Sequence, residues 1–207
     1  DKWFRPMTPT GLTEERWVKA IEIRPKDDAS RRVVHHSLAF LLQQEDGKRG
    51  LPEDVDVPFG PSLFMEWAVG KAGQIFRPDT GKLMMPGSQI MWEMHLHANG
   101  ERVPEAQVEL GVWFHDEPPE HRTILSMFDA QGPHSLDIPP NEIAVTQGTF
   151  VLSAPARIEN FQPHMHMRGK AMSMEAIYPN GEREMLSFVD NFQWNWQINY
   201  VYEEEAA

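Results

Sequence analysis

The chain has 207 residues, 41% of them hydrophobic, and carries a formal net charge of −12. That is enough apolar material for one large domain or two small ones, and the acidic balance excludes phosphate backbones and anionic membrane surfaces as natural partners. There is no cysteine, which removes disulfides, thiolate metal sites and cysteine nucleophiles together, and no apolar run approaches the length of a membrane span.

In chain order, the first strong signal is Trp17–Ile23, where apolar and polar residues alternate as on a half-buried strand. Short helical patterns are confined to Thr13–Arg16 and Pro61–Val69. Val33–Leu42 is apolar enough for a buried strand, Ser88–His97 for another, and Gln107–Phe114 alternates again. Further strands are predicted over Ile143–Thr146, Thr149–Ser153, Met172–Tyr178 and Met185–Val189, the last two joined through a Pro179-Asn180-Gly181 turn. Turn signals also fall at Arg49–Pro52, Gly60-Pro61 and Met85–Gly87. Many short strands with frequent turns predict an all-β sandwich or barrel. The polar stretch from His115 to His121 divides the chain into two sandwich domains, 1–118 and 119–207.

The nine histidines are unevenly placed: His95-Leu96-His97 and His164-Met165-His166 are HxH pairs, and His35-His36 are adjacent. On a strand, residues two apart share a face, so both imidazoles of an HxH pair can reach one ion. Neutral imidazole suits copper, zinc, nickel and iron. Adjacent histidines face opposite ways on a regular strand and can share an ion only at a strand end, at a bulge, or through different ring nitrogens. A single HxH is more often two solvent-facing side chains. His115, His121 and His134 stand in loop-like surroundings and read as surface residues.

Three motifs in order shift that balance. Arg32-Val33-Val34-His35-His36, then Trp92-Glu93-Met94-His95, then His164–Lys170 resemble the copper type II ascorbate-dependent monooxygenases, the family of dopamine β-monooxygenase and the peptide-amidating monooxygenase. The resemblance spans Trp17 to Tyr200 and implies two antiparallel jelly-roll-like β-sandwich domains. It implies a first copper held by His35, His36 and His95 that stores and passes an electron. His164 and His166 would hold a second, at which O2 is reduced and a substrate C–H bond hydroxylated, with ascorbate or another reductant as co-substrate. His97 is an alternate ligand or a supporting neighbour of His95. Gln162 occupies the position where the peptide-amidating enzyme carries an arginine for its substrate's carboxylate, which disfavours a glycine-extended peptide. The family's methionine ligand lies beyond the end of this chain, so the second sandwich is expected to be incomplete at its C-terminus; Met172, Met174 and Met185 are the methionines nearest to that role, and none matches the family's position. The lack of cysteine points to a bacterial relative.

The expected partners are therefore a small molecule and O2, with no nucleic acid and no membrane span. Asp1 in place of a starting Met, with no signal-like segment before it, leads us to expect a mature or trimmed chain that is exported, periplasmic or extracellular. Three other readings stand beside the monooxygenase: a non-catalytic copper carrier, a three-histidine zinc site with Glu93 as the local carboxylate, and a metal-free interaction domain. In the last, the aromatic segment Phe188–Tyr202 is either a docking surface or a pair of core strands. Glu93 and Asn99 are the neighbours expected to orient the histidine rings.

Overall fold

The computed structural model describes residues 2–45, 62–68, 71, 73–129 and 138–203. The turns expected at Arg49–Pro52 and Gly60-Pro61, and His134, lie outside them. The described chain is all-β, apart from one four-residue helix. Among its residues no helix is long and apolar enough to cross a membrane.

The N-terminal half forms two sheets. The first contains β1 (Lys2–Phe4), β2 (Met7–Pro9), β4 (Val34–Leu42), β5 (Ser62–Trp67) and β8 (Gln89–Leu96). Here β4 lies between β8 and β5, while β1 and β2 cover the other edge of β8, every pair being antiparallel. The second sheet contains β3 (Arg16–Pro25), β6 (Gly73–Ile75), β7 (Thr80–Met84), β9 (Val108–Phe114) and β10 (His121–Arg122). β3 pairs with β9 along one edge and with β6 and β7 along the other. β10 runs parallel to β7, so the chain beyond Pro118 still adds a strand to this sheet.

Alternating burial along β3 and β8 is what closes the sandwich. Ile21 and Ile23 from β3 meet Ile90, Trp92 and Met94 from β8 in one buried cluster, joined by Val34, Ala39, Leu41, Phe64, Met65 and Trp67. Burial of that apolar area, at roughly 25 cal/mol per Å2, is the main force holding the sheets face to face. A cavity of about 620 Å3 remains between the sheets, lined by Trp92, Met94, Met84, Leu110, Val112 and Phe114 among others. α1 (Asp28–Arg31) carries the chain from β3 to β4. The Asp27 side chain caps it by accepting from the Ser30 N–H at 2.8 Å, and the buried Ser30 hydroxyl accepts from the Gln107 N–H at 3.0 Å.

The C-terminal half contains two two-stranded sheets, β11 (Asn160–Phe161) with β14 (Tyr200–Val201), and β12 (Met172–Ile177) with β13 (Arg183–Val189). The 179–181 turn joins β12 to β13 as expected, with Gly181 at φ 85°. Phe188, Trp194, Trp196 and Tyr200 are exposed, so the aromatic segment is not a pair of core strands; Phe192 is its buried member.

Four expectations are corrected. Pro61–Val69 contains strand β5 rather than a helix, because Phe64, Met65 and Trp67 find a core and a ladder partner in β4. Thr13 and Glu14 form a bend rather than a helix, and Arg16 already belongs to β3. Ile143–Thr146 and Thr149–Ser153 form no strand: Ile143, Val145 and Val151 are exposed, and apolar β-formers without a neighbouring ladder have nothing to pair with. The helix at Asp28–Arg31 was not anticipated.

Lys82 of β7 is buried in the sandwich. Its ammonium donates to the Phe64 carbonyl at 2.8 Å and stands 5.6 and 5.7 Å from the Phe64 and Phe76 ring centres. Burial, and then the charge of Lys71, push its pKa down to about 7. The unfolded lysine keeps its proton up to about 10.5, so between these values the unfolded chain binds the extra proton and stability rises with pH. We expect wild-type protein to gain stability over a Lys82→Met variant as pH goes from 7 to 10, at no more than about 1.4 kcal/mol per pH unit. Urea denaturation of both proteins at several pH values checks this.

Candidate metal centre

β4 and β8 are paired strands with one irregularity. Val34 stands opposite Leu96 and His36 opposite His95, so the register shifts at His35, which has no partner of its own. That is a β-bulge, the condition under which adjacent histidines can serve one ion. On β8, Ile90, Trp92 and Met94 turn into the core, which sends Glu93 and His95 to the outer face. Opposite them Ser37 and Ala39 turn inward and His36 outward. The bulge then brings His35 round to the same place.

The three rings meet. Their centres are 5.2 Å (His35–His36), 5.3 Å (His35–His95) and 4.9 Å (His36–His95) apart, all edge to face. One nitrogen from each lies within 4.8 Å of the other two; among the described residues this is the group of metal-ligating type. Nδ1 of His35 and Nδ1 of His36 are 3.0 Å apart, one donating a proton to the other. Two nitrogens each about 2.0–2.1 Å from a shared ion stand roughly 3 Å apart, so an ion could replace that proton with little movement.

Burial pushes the His36 pKa down to about 4, aided by His35 and His95 and opposed by Glu66 and Glu93. His35 is also lowered, by burial first and then by His95 and His97. Both rings are therefore neutral near pH 7 and offer lone pairs without competition from protons. His97 is exposed just past β8, its N–H donating to the Val33 carbonyl at 2.7 Å. It acts on His35 through its charge and is not one of the three converging ligands. Glu93 accepts from Arg5 Nε at 2.7 Å, and the Asn99 side chain accepts from the Glu101 N–H at 3.0 Å.

His164 and His166 are also brought together, with ring centres 5.2 Å apart, but by a different device from the strand parity expected. They lie in irregular backbone after β11, where Pro163 has no N–H to donate and the Gly169 N–H returns to the His166 carbonyl at 2.8 Å. The turn is tight: a side chain at Gly169 would collide with Met165 and Phe192. Both histidines are exposed. Met172 and Met174 are half-buried on β12 and Met185 is exposed on β13.

The pair is tied to the first sheet by groups that carry no motif. Lys71, its side chain only 9% exposed, donates to Gln162 Oε1 at 2.7 Å and lies 3.4 Å from Glu66. Gln162, two residues before His164, in turn donates to Glu66. Beyond it, Arg77 pairs with Glu159 at 2.5 Å and Arg157 with Asp79 at 3.1 Å. Of the remaining histidines, His121 is exposed as expected, whereas His115 is half-buried, with Nε2 2.9 Å from the Thr80 carbonyl. Its place beside β9 gives it a structural partner that the surrounding prolines did not suggest.

No family model matches the chain, and neither a curated protein nor a solved structure matches it.

The depressed pKa of His36 has a consequence for the metal-free protein. Unfolded histidine takes up a proton near 6.5 and His36 only near 4, so stability falls as pH drops through that window. A His36→Gln variant should lose less stability between pH 6.5 and 4 than the wild type, measured by thermal unfolding in the presence of a chelator.

Proposed function

We propose that the chain is a copper-dependent monooxygenase that hydroxylates a substrate C–H bond with O2 and ascorbate or a similar reductant. The observation that carries this reading is the convergence of His35, His36 and His95 through a bulge, a distortion that brings together three imidazoles. The second support is the pairing of His164 and His166, which leaves coordination positions open as a reaction site requires. Three imidazoles suit copper well, and copper heads the affinity order at nitrogen sites. Bound copper supplies one-electron redox chemistry and a site for O2.

The protein's own part is to hold the donors. The lowered pKa values of His35 and His36 keep protons from competing there, and the Glu66–Lys71–Gln162 contacts hold the His164 segment against β5. In the overall reaction one oxygen atom enters the C–H bond and the other leaves as water. Two electrons and two protons come from the reductant. We further propose that the chain works outside the cytoplasm, in the periplasm or extracellular space.

The exposure of His164 and His166, with no third His or carboxylate converging on them among the described residues, favours a second reading, a non-catalytic copper-binding protein. Copper loading followed by metal analysis and EPR tests the first requirement of both. The expectation is about two nitrogen-ligated coppers per chain. His35→Ala should remove one and spare the other. Zinc in place of copper, or no bound metal, would overturn the copper reading. Substrate-dependent O2 uptake with ascorbate then separates enzyme from carrier, since a carrier shows none.

A further inference from the structure

We propose that Gln197 is the positioning residue of the His164–His166 pair: its amide oxygen fixes His164 with the proton on Nδ1 and leaves Nε2 as the atom that takes a metal. The inference rests on the reading of this pair as a metal site, and its first part stands without it. Gln197 Nε2 is 2.7 Å from the Trp194 carbonyl oxygen. A carbonyl can only accept, so the amide's NH2 end must face Trp194. The amide oxygen therefore faces His164, where Oε1 lies 2.5 Å from Nδ1. That oxygen also can only accept, so Nδ1 must carry the hydrogen. In a neutral imidazole the lone pair is then on Nε2.

The orientation is built into a packed unit. The Trp196 N–H returns to the Gln193 carbonyl at 2.9 Å, forming the turn that leads to Gln197. Phe192 is buried and its N–H donates to the Lys170 carbonyl at 3.0 Å. Its ring packs where Gly169 has no side chain. The loop carrying Gln197 is thus fastened to the loop carrying both histidines. On β8 the ladder itself aims His95; the histidine pair has no ladder, so a hydrogen bond to its ring supplies the aim. Acceptors of this kind commonly fix the tautomer of a ligating histidine.

The test begins with metal-free protein at pH 8, by long-range proton–nitrogen correlation NMR of the imidazole rings. His164 should show a protonated Nδ1 and a bare Nε2. Gln197→Leu should return it to a mixture dominated by Nε2–H, the form neutral imidazole ordinarily prefers in water, while Gln197→Glu, which keeps an acceptor, should retain Nδ1–H. Copper titration should then show Gln197→Leu weakening binding at the pair about 10- to 100-fold while the triad is unchanged. A wild-type His164 protonated on Nε2, or a tautomer indifferent to Gln197→Leu, would overturn the assignment. A correct tautomer with no copper at the pair would leave the hydrogen-bond assignment standing and remove the metal reading instead.

Discussion

The register between β4 and β8 is the constraint on which the rest depends. Core packing fixes it from one side: Trp92 and Met94 must face Ile21 and Ile23, and Ala39 and Leu41 must do the same from β4. Once those side chains are inward, period two sends His36 and His95 outward across from each other. The extra residue at His35 is then the only local departure needed to bring three rings together. The triad thus inherits its geometry from the hydrophobic effect acting on the opposite face of the same strands. Its partial burial, which keeps His36 neutral, comes from the same arrangement.

How much of this was legible in the sequence depended on whether the signal was periodic. β3, β4, β8 and β9 were readable to within a residue or two, β3 and β9 from alternation and β4 and β8 as apolar runs that the core selects. Side-chain parity alone required some departure at His35-His36, a strand end, a bulge or the use of different ring nitrogens, and the structure has the bulge. Ile143–Thr146 failed because a strand needs a partner, and no local pattern says whether one exists. Pro61–Val69 failed because Phe64, Met65 and Trp67 fit a helical stripe as well as a buried strand. The segment at 164–166 was paired correctly, but for the wrong local reason: Pro163 and Gly169 carried a turn signal that the HxH spacing overshadowed. Gln197, Glu66 and Lys71 had no signal at all. Their partners lie 33, 96 and 91 residues away for the bonds His164–Gln197, Glu66–Gln162 and Lys71–Gln162.

The two halves of the described chain meet through polar contacts at the places discussed. Gln162 binds Glu66 and Lys71, and Glu159 and Arg157 bind Arg77 and Asp79. Such contacts are directional, so they set distance and orientation more than they add stability. Lys71 and Arg77 are mostly shielded from solvent, with side chains 9% and 13% exposed, which protects these pairs from the screening that weakens surface ion pairs. Glu66 belongs to both systems, holding Gln162 while its charge acts on His36.

The bulge at His35 also bears on how this chain can change over time. Substitutions on the outer face of β4 alter one side chain each and leave the others where they are. Deleting a single residue at 34–36 would do something different in kind. It would restore a regular ladder while removing the offset that gathers the rings. An insertion would send the following residues to opposite faces unless the pairing slipped to compensate. The lineage of this protein should therefore tolerate drift in amino-acid identity along β4 far more readily than any change in its length.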